Sequence, residues 1–168
     1  TLEEIADGAS RRLGLEGASG TQNVDVKIPA GVADGSRVRV AGRGESGTGG
    51  APAGDLFLKV RQSPHQTFTR RGADLHVGVA VGVTVAVLGG SASVPRLRGK
   101  PLTLKIPAGT QSGQVFRLKG HGLPVPGDSS PIGDLYATVS VQIPRELTPP
   151  QREHFEALAA IEGDTPAE

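Results

Sequence analysis

Four histidines, 18 lysines and arginines, 17 aspartates and glutamates and no cysteine bound the chemistry open to this chain of 168 residues. Without cysteine there is no disulfide, no thiolate zinc site and no cysteine nucleophile. His65, His76, His121 and His154 lack metal-ligand spacing and no carboxylates cluster with them, so no metal is expected. His65 is expected instead to hold a turn through hydrogen bonds. Gly42-Arg43-Gly44-Glu45-Ser46-Gly47 fits the GxGxxG pattern, but a dinucleotide site needs that turn to open a helix whose N-terminus faces a pyrophosphate. More glycine and then a strand follow here. No Gly-x-Ser-x-Gly elbow and no acid–base pair is evident, so neither enzyme nor cofactor is expected. Arg70 with Arg71, and Arg96 with Arg98 and Lys100, are the basic clusters that phosphate binding would use. A net charge of +1, four phenylalanines and one tyrosine deny a broad phosphate-binding face and base stacking, which leaves nucleic-acid binding as the second reading.

What remains is non-covalent holding, and the chain carries the parts for it twice. Lys27-Ile28-Pro29-Ala30-Gly31 returns as Lys105-Ile106-Pro107-Ala108-Gly109, 78 positions on. Gly35, Arg39, Gly42 and Gly44 keep step with Gly113, Arg117, Gly120 and Gly122, and Gly54-Asp55-Leu56-Phe57 with Gly133-Asp134-Leu135-Tyr136. That period is too long for a solenoid unit and suits a small domain built twice.

The elements that must position these residues follow from local pattern. Thr1-Leu2-Glu3-Glu4 is a capping box that opens a short helix ended by Gly8. Arg12-Leu13-Gly14-Leu15 and Val24-Asp25-Val26-Lys27-Ile28 alternate on either side of a polar turn from Glu16 to Asn23, so a hairpin places Leu13, Leu15, Val24, Val26 and Ile28 in two apolar rows. Arg37–Val40 and Leu56–Val60 add strands to the first copy. Ala92–Leu97, Leu102–Ile106, Val115–Leu118 and Leu135–Ile143 serve the second, with Val77–Val81 bridging. Thr148-Pro149-Pro150-Gln151 is another capping box, and Phe155, Leu158 and Ile161 recur at helical spacing before Gly163. That stripe lies either on its own domain or in the seam of a dimer. No apolar run approaches the roughly 20 residues of a spanning helix, so a soluble, cytoplasmic chain is expected. Secondary structure begins at Thr1, so the chain is expected to be part of a longer protein.

Pro64-His65-Gln66-Thr67-Phe68-Thr69-Arg70-Arg71-Gly72-Ala73-Asp74-Leu75, Leu88-Gly89-Gly90, Val94-Pro95, Ile106 to Gly113, Arg117-Leu118-Lys119-Gly120-His121-Gly122-Leu123-Pro124 and Gly133-Asp134-Leu135-Tyr136 together resemble the C-terminal substrate-binding region of DnaJ co-chaperones. The resemblance spans nearly the whole chain. It implies a mainly β protein of two tandem homologous β-sandwich or barrel-like domains with short helices, at residues 1–68 and 69–147, then a C-terminal dimerisation helix and tail at 148–168. It also implies that unfolded polypeptide clients bind in an apolar groove of the first domain, mapping onto Leu13, Leu15, Val24, Val26 and Leu58. The acidic tail of a DnaK-type partner maps onto Lys27, Arg37 and Arg39, and the homodimer interface onto Phe155, Leu158 and Ile161. A curved-DNA-binding relative is the alternative within the family. Two departures matter. The His-Pro-Asp tripeptide that stimulates a DnaK-type ATPase does not occur here, and the family's Cys-x-x-Cys-x-Gly-x-Gly repeats are replaced by Glu16 to Asn23. The chain therefore resembles the zinc-free class, or one whose finger was removed at Gly17-Ala18-Ser19-Gly20.

Overall fold

The computed structural model describes residues 1–17, 20–44, 53–126 and 132–163. Helix α1 (Leu2–Asp7) opens the chain, with the Thr1 hydroxyl accepting from the Glu4 amide at 3.3 Å as the capping box requires. Strands β1 (Ala9–Gly17) and β2 (Gly20–Ile28) form a hairpin in which Leu13 faces Val24 and Leu15 faces Gln22. The expected polar turn is therefore shorter than Glu16 to Asn23: Glu16 pairs with Thr21, because ladder bonds use the backbone and tolerate polar side chains. The proposed finger scar at Ala18 and Ser19, and positions 45–47 of the GxGxxG pattern, lie outside the described residues. Strands β3 (Arg37–Val40) and β4 (Leu56–Lys59) pair antiparallel and complete the first copy.

The second copy is larger. Strands β5 (Thr69–Arg71) and β6 (Asp74–Gly82) precede helix α2 (Val83–Leu88), the hairpin β7 (Gly90–Val94) and β8 (Leu102–Ile106), and the pair β9 (Val115–Leu118) and β10 (Leu135–Gln142). Strand order in its main sheet is β5-β6-β10-β9, with β6 and β10 parallel. Strand β5 and helix α2 were not anticipated from the sequence. Val83-Thr84-Val85-Ala86-Val87-Leu88 is rich in β-branched residues that favour strands. It is helical because Ala86 is buried and its last turn is capped from outside, where the Gly109 and Thr110 amides donate to the Val87 and Ala86 carbonyls. The strand expected at Ala92–Leu97 starts earlier and stops before Pro95.

The repeat is geometric as well as sequential. Gly8 after α1 and Gly89 after α2 adopt φ of 74° and 83°, and in each case a Cβ would crowd the matching isoleucine carbonyl, of Ile28 or Ile106. Leu2, Ile5, Ala6, Val32 and Phe68 of the first copy join Leu75, Val79, Val94, Ile106, Leu123 and Leu135 of the second in one buried cluster. Close backbone approach seals this contact: Gly31 has φ of 75°, and a Cβ there would lie 2.1 Å from the Pro124 carbonyl oxygen. Helix α3 (Pro149–Glu162) follows, with the Thr148 amide donating to Gln151 Oε1 at 2.9 Å. The result is mainly β, in several small sheets with a terminal helix. No helix among the described residues is long and apolar enough to cross a membrane.

Candidate functional site

Strand β4 builds the site. The Val60 amide and carbonyl bond Ser36 and Gly35 on the β3 side, so alternation turns the backbone groups of Phe57 and Lys59 to the other edge. No strand among the described residues pairs with that edge. Beside it lies a groove of about 350 Å³ whose apolar wall is Ile5, Leu13, Val26, Val38, Leu58 and Val60, with Arg11, Lys59 and Arg61 at its rim. Arg11 is engaged by Glu4, whereas Lys59 and Arg61 have no carboxylate partner among the described residues.

Leu13, Val26 and Leu58 of the expected groove thus meet in one cavity. Leu13 and Leu58 are half-buried there, while Val26, at the floor of the same groove, and Val24 are buried, at 3% and 4% exposed. Leu15 continues the Leu13 row in backbone register. Ile5, Val38 and Val60 were not singled out from the sequence; the groove forms only when α1 and β3 close over the hairpin face.

The second copy shows the same place filled. Val94 stands where Leu13 does, five residues beyond its glycine, and is fully buried. Strand β6 lies against β10, and its Val77 and Val79 are buried in the same cluster as Val94 and Leu104.

The expected tail-binding cations separate. Lys27 sits on the outward face of β2 beside Ser10 and Asp7. Arg37 lies opposite Lys59 on the β3–β4 pair. Arg39 is committed, its Nε donating to Asp55 at 2.6 Å, while the Gly42 amide donates to the other carboxylate oxygen at 3.0 Å. Arg117, Gly120 and Asp134 repeat this clip at 2.6 and 2.8 Å. The glycine amides first, and the guanidinium with them, hold both carboxylates below the ordinary range. The repeated Gly-Asp signature is therefore a fold clip.

Other sequence candidates take structural posts. Arg70 is half-buried and donates to the carbonyls of Gly31 and Val32 and to Gln62 Oε1, which commits it to the fold, while Arg98 makes an exposed pair with Asp7. His65 Nδ1 accepts the Thr67 and Phe68 amides at 3.0 and 3.2 Å, with Glu3 at Nε2, which is the turn-holding role expected of it. No cluster of three potential metal ligands occurs among the described residues. On α3, Phe155 is half-buried, whereas Leu158 and Ile161 are 53% and 72% exposed.

Residues 1–144 match the family model described as the DnaJ C terminal domain. The chain is similar to "Chaperone protein DnaJ" of Leptospira biflexa, 45% identical over 143 residues, which cover 85% of this chain and 38% of that protein. Similarity to proteins of the same name from Chelativorans sp. (43% over 159 residues) and Brucella canis (42% over 161 residues) covers 94% of this chain and 42% of each relative. The chain spans about two fifths of the length of these relatives.

Proposed function

The chain belongs to the DnaJ C-terminal domain family, and on that premise we propose that it is the client-holding and dimerising part of a non-enzymatic co-chaperone. The groove carries the reading. A holder of many unfolded sequences needs backbone pairing, which ignores side chains, and a shallow apolar pocket, which selects only hydrophobicity. A β4 edge that no strand among the described residues pairs with, beside Leu13, Leu58 and Val60, supplies both in one place.

Division of labour follows. Residues 1–68 hold the client, residues 69–147 present a filled counterpart and act as the rigid base, and residues 148–168 pair two chains. Clients pass to a DnaK-type chaperone in the cytoplasm, whose acidic tail meets Lys27 and Arg37. Arg39 is the weakest member of that set because Asp55 already neutralises it.

The test is suppression of aggregation of a chemically unfolded client by the purified chain without nucleotide, with ATP turnover of a DnaK-type chaperone measured in parallel. Suppression with unchanged turnover is expected, since no His-Pro-Asp occurs in the chain. Aggregation that proceeds at the rate of the buffer control refutes the proposal.

A further inference from the structure

The second copy contains a worked example of what fits beside the first. Strand β10 is the counterpart of β4: Asp134 and Asp55 make the same clip, and Val139 and Val60 accept from Gly113 and Gly35 in the same way. Counting from those anchors, Leu56, Phe57, Leu58, Lys59 and Val60 stand where Leu135, Tyr136, Ala137, Thr138 and Val139 stand. On β10 these five face Leu75, His76, Val77, Gly78 and Val79 of the parallel strand β6. Leu75, Val77 and Val79 point inward and are buried, and His76 stacks on Tyr136 with centroids 4.9 Å apart and an interplanar angle of 11°. Nothing among the described residues occupies the equivalent place on β4. There Phe57 is left 59% exposed, and Arg37 and Lys59 share the outward face with Arg61 just beyond the strand, none of them with a carboxylate partner among the described residues.

We propose that the bound client segment adds to β4 as a parallel strand in the register of β6 on β10, with apolar residues at alternate positions, an aromatic ring over Phe57 and a carboxylate opposite Lys59. The inference rests on the client-binding reading and specifies its polarity and sequence preference. Apolar side chains facing Leu56, Leu58 and Val60 fill the groove. The intervening outward positions meet a ring and then three cations, so they select by stacking and by charge. The segment that satisfies this is acidic and amphipathic with a two-residue period, unlike the uniformly apolar segment that the pocket alone would choose.

A labelled peptide copying Asp74–Gly82 with glutamate in place of Gly78 is the probe, read by fluorescence anisotropy against the intact chain. Three controls accompany it: lysine in place of that glutamate, the reversed sequence, and a scramble of the same composition without alternation. The glutamate peptide is expected to bind about tenfold more tightly than the lysine peptide at low salt, with the ratio falling as salt is added. Lys59→Glu with Arg61→Glu should invert the preference. The reversed peptide keeps the apolar alternation but exchanges ring and carboxylate, so it should bind more weakly if pairing is parallel. Equal binding of the glutamate and lysine peptides, or of the probe and its scramble, overturns the inference while aggregation suppression leaves the groove reading standing. Binding of none of them overturns both. Conversion of dimers to monomers by the peptide would assign the edge to a second copy of the chain and overturn the client assignment.

Discussion

Replacing Leu13 by alanine separates an open groove from a packed core, because its counterpart Val94 supplies an internal control. Leu13 is half-buried and lines the groove, and Val94 is fully buried in the matching place. Leu13→Ala removes three carbons, which at about 0.8 kcal/mol per methylene is about 2.4 kcal/mol for a side chain taken wholly out of water. Most of that surface is already shielded in the free protein, so at most about a third, ~0.8 kcal/mol, falls on client binding, a rise in Kd of up to roughly fourfold. The remaining ~1.6 kcal/mol falls on stability. Val94→Ala removes two carbons from a site with no exposure, so the transfer loss of about 1.6 kcal/mol plus a cavity contribution falls entirely on folding, and client binding stays at the parental value. Urea unfolding and anisotropy with one apolar peptide, on both variants, give the four numbers. Parental binding by Leu13→Ala, combined with a stability loss as large as that of Val94→Ala, would refute the assignment and return Leu13 to the core.

Three further outcomes are expected. Light scattering should give a dimer at tens of micromolar, converted to folded monomers by Phe155→Asp with Leu158→Asp, since the exposed stripe of α3 needs a partner; a mass near 17 kDa for the parent contradicts this. Gly31→Ala should cost more than ~2 kcal/mol in urea unfolding, because strained φ adds to a backbone overlap with Pro124, whereas Gly35→Ala, with φ of 77° and only Lys59 Cε near at 3.9 Å, should cost about 1 to 2 kcal/mol. Asp55 and Asp134 are held below the ordinary carboxylate value of 3.8, so the stability they contribute is complete above that pH and is lost as pH falls through their lower folded values. Thermal unfolding between pH 5 and 2 should therefore show an acid loss that shrinks in Asp55→Asn with Asp134→Asn.

Much of this was legible in the chain because it depends on neighbours in sequence. Thr1 and Thr148 mark helix starts since a cap acts within four residues, and the two-residue period of Leu13, Leu15, Val24 and Val26 assigns one face of a hairpin whatever lies across it. The doubled Lys-Ile-Pro-Ala-Gly and Gly-Asp motifs announced two copies of one unit, and both copies keep the same turns and the same Arg–Asp–Gly clip. Sequence could not say which apolar face would be covered. Leu13 and Val94 have the same local pattern, and one lines a groove while the other is shut only because β6 lies beside β10, some 60 residues away in the chain, while β4 has no such neighbour among the described residues. Long-range contact likewise turned the strand-like run Val83–Leu88 into a helix and drew Arg70 and Arg39 out of the pool of free cations. Periodicity determines which side of an element is apolar; the closing of distant segments upon it decides whether that side becomes core or binding surface.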